Sequence, residues 1–319
     1  MTADFRLEAS GVKPTFVAES ESANRTVLGD VKNIKIRFLK NTRYHAIAEV
    51  QGLDATIANA IRRILLAEVP TLAVESVHIY QNTGVIQDEV LAHRLGLIPF
   101  DCNPDMVQFR NNDELSDKNS VCFQLKVKCT RELLGGRQNM PVYAKQMKWV
   151  PLSVEQAEAF KECPPKPIHE DILLTKLSSG QELDLKVFLE KGIGKTHAKW
   201  SPVCTAVYRF KPDITFSTED PLRPEEVEEL VNICPMGVFS AAKGKITDIK
   251  PFNCTSCRAC VERFPKRVVI KKLSNHVIFS VESVGAIPSG TLFLKAIGVL
   301  KDKALKLKRR MGDTLSYTS

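Results

Sequence analysis

Several features are missing from this sequence, and each absence removes a class of protein. No apolar run approaches the roughly 18 to 20 residues that cross a bilayer. The opening stretch from Met1 to Glu8 lacks the apolar core of a secretory signal, so a nuclear or cytosolic chain with no membrane contact is expected. Nine cysteines, an odd number in 319 residues, argue against a disulfide framework in such a compartment. There is no G-x-x-x-x-G-K-S/T loop for nucleotide phosphates; Gly192-Ile-Gly194-Lys195-Thr196 lacks the first glycine and the spacing. His45, His78, His93, His169, His197 and His276 form no HExxH pair and have no neighbouring acid that suggests a triad. A D-x-D metal pair is also absent. Glu182 and Asp184 sit beside Lys186 on a strand pattern and read as a solvated strand face. No catalytic residues are therefore nominated, and the chain is not expected to be an enzyme by itself.

What is present describes a globular chain. Hydrophobic residues make up 44% and charged residues 26%, enough to bury one large core or two modest ones. The net charge of +8 suits a nucleic acid or an acidic partner nearby. Much of the excess lies in Lys301, Lys303, Lys306, Lys308, Arg309 and Arg310, so a dedicated DNA-binding face is not required.

The pattern of apolar residues divides the chain. Residues 1–30 are polar and patternless and read as a flexible arm. Ile34 to Leu39 and Tyr44 to Val50 read as a hairpin. A helix follows, with Asp54 as its N-cap and Ile57, Ala60, Ile61, Ile64 and Leu65 as its apolar stripe, ending before Pro70. From 71 to 209 the texture is β-rich, with strands expected at Leu72 to Tyr80, Val121 to Cys129, Val142 to Val150, Leu183 to Leu189 and Val203 to Phe210. A helix near Gln87 to Leu95 interrupts them. A return strand is placed in 210–222 and a cysteine module in 223–265. Segment 266–311 holds strands at Arg267 to Lys272 and Val277 to Glu282 and then a long helix from about Pro288. Phe293, Ile297, Leu300, Ala304, Leu307 and Met311 step by four and three along that helix, an a/d seam that calls for another helix. Residues 312–319 are a tail. The fold class is α+β. Segments 31–70 and 266–311 form one unit split by the β-rich insert, because neither end alone has strands enough to cover its amphipathic helix.

The cysteine module carries the strongest local signal. Cys254, Cys257 and Cys260 form a C-x2-C-x2-C run, and Cys234 precedes Pro235 upstream. In two-cluster ferredoxins a triplet of this spacing and the Cys of a Cys-Pro pair hold one 4Fe–4S cluster. One complete ligand set survives here. The other is gone, since no triplet precedes Cys234 and Phe264 stands before Pro265. A ferredoxin-like insert holding a 4Fe–4S cluster is the expectation, with zinc or unmetallated cysteines as alternatives. Such a cluster would be structural or sensing, having no second cluster in the chain to exchange electrons with. Cys102, Cys122, Cys129, Cys163 and Cys204 have no ligand spacing.

Three blocks carry a family resemblance: Thr56 to Pro70 (TIANAIRRILLAEVP), Gln87 to Pro99 (QDEVLAHRLGLIP) and His197 to Val203 (HAKWSPV). Together they resemble the α-like subunits of multisubunit RNA polymerases, over roughly residues 31 to 310. Asn82 to Glu89 is most similar to the α-like subunit shared by eukaryotic RNA polymerases I and III. The cysteine module is instead similar to the ferredoxin-like insert of the archaeal RNA polymerase's α-like subunit. An archaeal identity for the chain is disfavoured by the N-terminal arm and by the long segments 101–118 and 161–180. The resemblance implies an α-subunit-type dimerisation domain in a noncatalytic scaffold. It implies a heterodimer with a smaller α-like subunit, seeding assembly of the two large catalytic subunits with small assembly subunits for rRNA, 5S rRNA and tRNA transcription. DNA would be met only through the complex, in the nucleus and nucleolus, or in the cytoplasm if the chain is archaeal. The partner interface is then expected at Ile57, Ala60, Ile61, Ile64, Leu65, Phe293, Ile297, Leu300, Ala304 and Leu307. Arg62, Arg63, Glu89, His93, Arg94, Lys199 and Trp200 are the candidate contacts to the large subunits. Two rival readings carry their own signatures. A ferredoxin-like electron carrier requires a redox change coupled to turnover, and a DNA-binding regulator requires duplex binding with a steep salt dependence.

Overall fold

The hairpin, the first helix and the last strand and helix of the chain meet in space, although the β-rich segment separates them in sequence. The computed structural model describes residues 3–8, 11–16, 34–111 and 113–317. Strands Val203–Phe216, Val268–Ser283, His45–Gln51 and Lys35–Asn41 pair in that order as an antiparallel sheet. Ala46, Ala48 and Val50 alternate onto one face and stand beside Val281, Phe279 and Val277 of the neighbouring strand. All six are buried against two helices. Alanine at two central positions leaves room for Phe293, which packs edge to face on Phe279.

The first helix, Ala55–Ala67, starts where the Asp54 carboxylate accepts the Thr56 N–H at 3.0 Å. Its buried face is Ala58, Ile61, Ile64 and Leu65. The face is turned slightly from the expected stripe, since Ala58 is fully covered while Ile57 and Ala60 are half-buried. The closing helix, Ser289–Tyr317, buries Leu292, Phe293 and Ala296. From Lys301 to Met311 every residue is exposed, and Lys303 reaches back to Glu68 of the first helix at 2.8 Å.

A second antiparallel sheet, in the order Thr71–Asn82, Glu182–Gly192, Ser120–Lys128 and Lys148–Val150, builds the β-rich segment. Val121, Phe123 and Leu125 point into its core as their alternation requires. The expected helix there is Asp88–Gly96, joined by short helices Arg131–Leu134 and Val154–Ala159. The cysteine module has a third core. It comprises helix Pro224–Ile233, hairpin Phe239–Ala242 with Lys245–Ile249, and short helix Ala259–Arg263 around Leu230, Val238 and Phe239.

Local readings differ from the structure in four places. The single strand expected over 142–150 is two strands, Met140–Tyr143 and Lys148–Val150. Between them the Gln146 amide oxygen accepts the Tyr143 N–H at 2.9 Å and fixes a turn. The two strands expected over 267–282 form one element, Val268–Ser283, but its ladder to Val203–Phe216, which passes through the expected boundary at 209/210, shifts register and skips residues 273–276, where the gap was expected. Within 1–30, Ala3–Glu8 and Gly11–Phe16 form a hairpin whose register sets Phe5 opposite Pro14 and Leu7 opposite Val12, an alternation the arm reading overlooked. The other residues of that arm lie outside the described ones. The closing helix continues into the expected tail, as far as Tyr317.

Candidate dimerisation surface and cysteine module

Sheet and helices leave a gap between them on one side. Ile36 and Phe38 of the hairpin, Ile57 and Ile61 of the first helix, and Ile297 and Leu300 of the closing helix line a groove of about 500 Å3. Phe38 is 43% exposed and Ile297 41%, unusual values for residues that share a wall with a core. The walls are held by the chain itself. Phe38 meets Phe293 edge to face with ring centroids 6.1 Å apart, and Gly290 lies so near Asn41 that an added Cβ would stand 2.7 Å from its side-chain oxygen.

This geometry sorts the expected interface residues. Ile57, Ile61, Phe293, Ile297 and Leu300 line the groove, and Ala304 and Leu307 lie on the exposed half of the closing helix. Ile64 and Leu65 are corrected to core positions, because the chain's own fold covers them. Ala60 is half-buried beside the groove. Sequence reasoning missed Ile36, Phe38 and Leu294. The alternation of Ile36 and Phe38 on a strand whose residues are all exposed is the signal that could have found the first two.

The expected large-subunit contacts also divide. Glu89, His93 and Arg63 are exposed. Arg62 is half-buried and donates to the Asn59 side-chain oxygen at 2.8 Å, so adjacent arginines do point apart. Arg94 is exposed but tied down, donating to the carbonyl oxygens of Leu173 at 2.6 Å and Leu174 at 3.2 Å. Trp200 is corrected to a core residue. It is 8% exposed, its indole N–H donates to the Glu190 carbonyl at 3.0 Å, and its ring fills the space that a Cβ on Gly192 would need. Lys199 lies over that ring at 4.5 Å, donates to the Val74 carbonyl and pairs with Glu75.

On the outer face of the first sheet, Glu49 is buried among basic side chains from three other strands. His276 Nε2 lies 2.7 Å from its carboxylate, Lys211 Nζ 3.1 Å and Arg37 Nε 3.4 Å. Burial works to raise the Glu49 carboxyl, but hydrogen bonds with Lys211 and His276 more than offset it and hold the group below its ordinary value. The same face carries the cysteine module. Arg209 donates to the carbonyl oxygens of Phe252 and, at 3.1 Å, Cys254, while the Lys211 ammonium sits 4.7 Å from the Phe252 ring centroid.

Within the module, Cys254 and Cys260 are buried, Cys234 is half-buried and Cys257 is exposed. The Val238 N–H donates to Cys234 Sγ at 3.5 Å and the Ser256 N–H to Cys254 Sγ at 3.4 Å. Ser256 and Arg258 take positive φ values of 57° and 69°, which coil the loop around its sulfurs. Burial pushes the Cys260 thiol up. Four thiols at this spacing suit an iron–sulfur cluster in chemistry. With Cys257 turned to solvent, no group of three His, Cys, Asp or Glu side chains among the described residues is set to hold a metal ion.

A sheet with helices on one face and an open apolar groove between them defines a protein that completes its core by pairing. Residues 49–304 match the RNA polymerase Rpb3/Rpb11 dimerisation domain, and the chain belongs to that family. It is 40% identical to the DNA-directed RNA polymerases I and III subunit rpac1 of Dictyostelium discoideum over 279 residues, covering 85% of this chain and 80% of the relative. Identity to the DNA-directed RNA polymerases I and III subunit RPAC1 of Homo sapiens is 41% over 292 residues, 84% of each chain. The archaeal DNA-directed RNA polymerase subunit Rpo3 of Methanosphaera stadtmanae is 33% identical over 278 residues, 85% of this chain and 96% of the relative. The resemblance carried by the three sequence blocks is borne out at the level of the family.

Proposed function

We propose that this chain is the noncatalytic α-like assembly subunit shared by RNA polymerases I and III, pairing with a smaller α-like subunit to seed the two large catalytic subunits. The apolar groove between hairpin, first helix and closing helix carries the reading, since a chain of a dimerisation family leaves there a surface that water does not favour. Higher identity to the two RPAC1 relatives than to the archaeal subunit favours the eukaryotic reading over the archaeal one. Work in the nucleus, the nucleolus included, follows from it, with DNA met through the assembled enzyme. Small assembly subunits would join the same platform, and the exposed face of helix Asp88–Gly96 with Glu89 and His93 is where a large subunit would sit.

The test is co-expression with the smaller α-like subunit of the same genome. A one-to-one complex is expected. Phe38→Asp with Ile297→Asp, both on exposed groove positions, is expected to weaken pairing at least about 100-fold by burying charge, while circular dichroism of the lone chain stays unchanged. A wild-type chain that ignores the partner, or a double variant that pairs as well as wild type, overturns the proposal.

For the cysteine module, a 4Fe–4S cluster held by Cys234, Cys254, Cys257 and Cys260 is proposed on the ligand spacing and the two N–H···S contacts. Cys257 would have to turn inward. The same complex purified without oxygen should then carry about four irons, falling to background in Cys257→Ser. Zinc or no metal in the wild-type complex sinks the cluster and leaves the assembly reading standing.

A further inference from the structure

The closing helix outruns the fold. Beyond Leu300 it continues through eleven exposed residues, about 16 Å of helix at 1.5 Å per residue. The seam that lines the groove at Ile297 and Leu300 carries on along this exposed half as Ala304, Leu307 and Met311, and Leu307 and Met311 are 60% and 58% exposed. Seam spacing of four and three also fixes the flanks. Counting Leu300 and Leu307 as d positions and Ala304 and Met311 as a positions, the e positions are Lys301 and Lys308 and the g positions Lys303 and Arg310. All four flanks are cations. Asp302, the one acid between 301 and 311, falls at f, on the side away from the seam.

In paired helices the e and g residues face their counterparts and choose the partner by charge. A second copy of this helix, parallel or antiparallel, would set cation against cation at every flank. A helix with carboxylates beside its apolar seam would be matched. The fold already contains one instance of that pairing, because Lys303 Nζ holds Glu68 of the first helix at 2.8 Å. Phosphate alone would account for the charges but not for an apolar seam running between them.

We propose that the exposed half of the closing helix is a charge-reading extension of the partner-binding groove, and that it selects an acid-flanked helix of the smaller α-like subunit over a second copy of this chain. The inference rests on the pairing proposed above, and it adds what decides the choice of partner.

The experiment compares wild type with the full-length Lys301→Glu/Lys308→Glu variant, titrating each with the smaller α-like subunit at about 0.1 M and about 1 M salt. The variant is expected to bind about tenfold more weakly at low salt, with the gap closing at high salt. Both side chains are exposed, so the variant keeps its fold, and circular dichroism checks this. Equal affinities at low salt overturn the inference while leaving the groove reading intact. A wild-type chain that fails to pair at all overturns the groove reading itself. Two other outcomes also count against the inference: a homodimer of the lone wild-type chain that is stable at low salt, and a variant that pairs normally yet loses binding to a 20-base-pair DNA duplex that wild type binds.

Discussion

Glu49 shows what a single side chain can carry here. Its carboxylate is buried and held by Lys211, His276 and Arg37, so removing it leaves the Lys211 ammonium and the Arg37 guanidinium without their anion. Glu49→Ala is expected to lose about 3 to 5 kcal/mol in urea unfolding at pH 7. Glu49→Gln, which keeps an acceptor for the same donors, should lose clearly less. The pH dependence follows from the depressed carboxyl. Its contribution is full above the ordinary glutamate value of 4.5 and is lost as pH falls through the lower value of the folded state. Wild type should therefore show an acid branch below that point which the Gln variant lacks, and parallel curves for the two would end the argument. None of this was legible in the sequence, because the partners come from positions 37, 211 and 276. Asp184 shows the opposite case. Read as part of a solvated strand face, it stands opposite Lys126 in the strand register and pairs with it at 2.6 Å, with its side chain only 14% exposed.

At the scale of elements, helices were the more readable. The first helix was legible from its cap to its stop, since Asp54, the apolar spacing and Pro70 are all local signals. Asp54→Ala should cost about 1 kcal/mol by freeing the Thr56 N–H, measured by urea unfolding, and no change in midpoint would mean that water replaces the cap at no loss. The rotation of the buried face toward Ala58 was not legible, because it depends on how closely Ala46 and Ala48 let the helix approach. Strand ends fared worse for a related reason. Val268–Ser283 runs as one element although its pairing with Val203–Phe216 skips residues 273–276, and Met140–Tyr143 and Lys148–Val150 stay apart where Gln146 reaches back to Tyr143.

Across the whole molecule, the joint between the β-rich segment and the dimerisation unit depends on small residues. Gly192-Ile-Gly194 was read in the sequence only as a failed phosphate loop. In the structure Gly194 passes against the carbonyl oxygen of Leu66, where a Cβ would collide, and Lys195 N–H donates to the Ala67 carbonyl at 2.8 Å. Gly194→Ala should force the joint open and cost about 2 kcal/mol in thermal or urea unfolding, and wild-type stability would show that the backbone yields there. The split of the dimerisation unit was legible from two amphipathic helices with too few strands of their own. The docking of the cysteine module on the sheet's outer face was not, because Arg209 and Phe252 meet only after both have folded. The same split governs the order of events during synthesis. His45 and Ser280 hydrogen bond across neighbouring strands although 235 positions separate them. At ribosomal speeds of about 5 to 20 residues per second, the hairpin and first helix wait about 10 to 50 s for the strand that completes their sheet. For that interval strand His45–Gln51 of a nascent chain shows an unpaired edge, so the earliest binder this protein meets is whatever shields that edge on the ribosome.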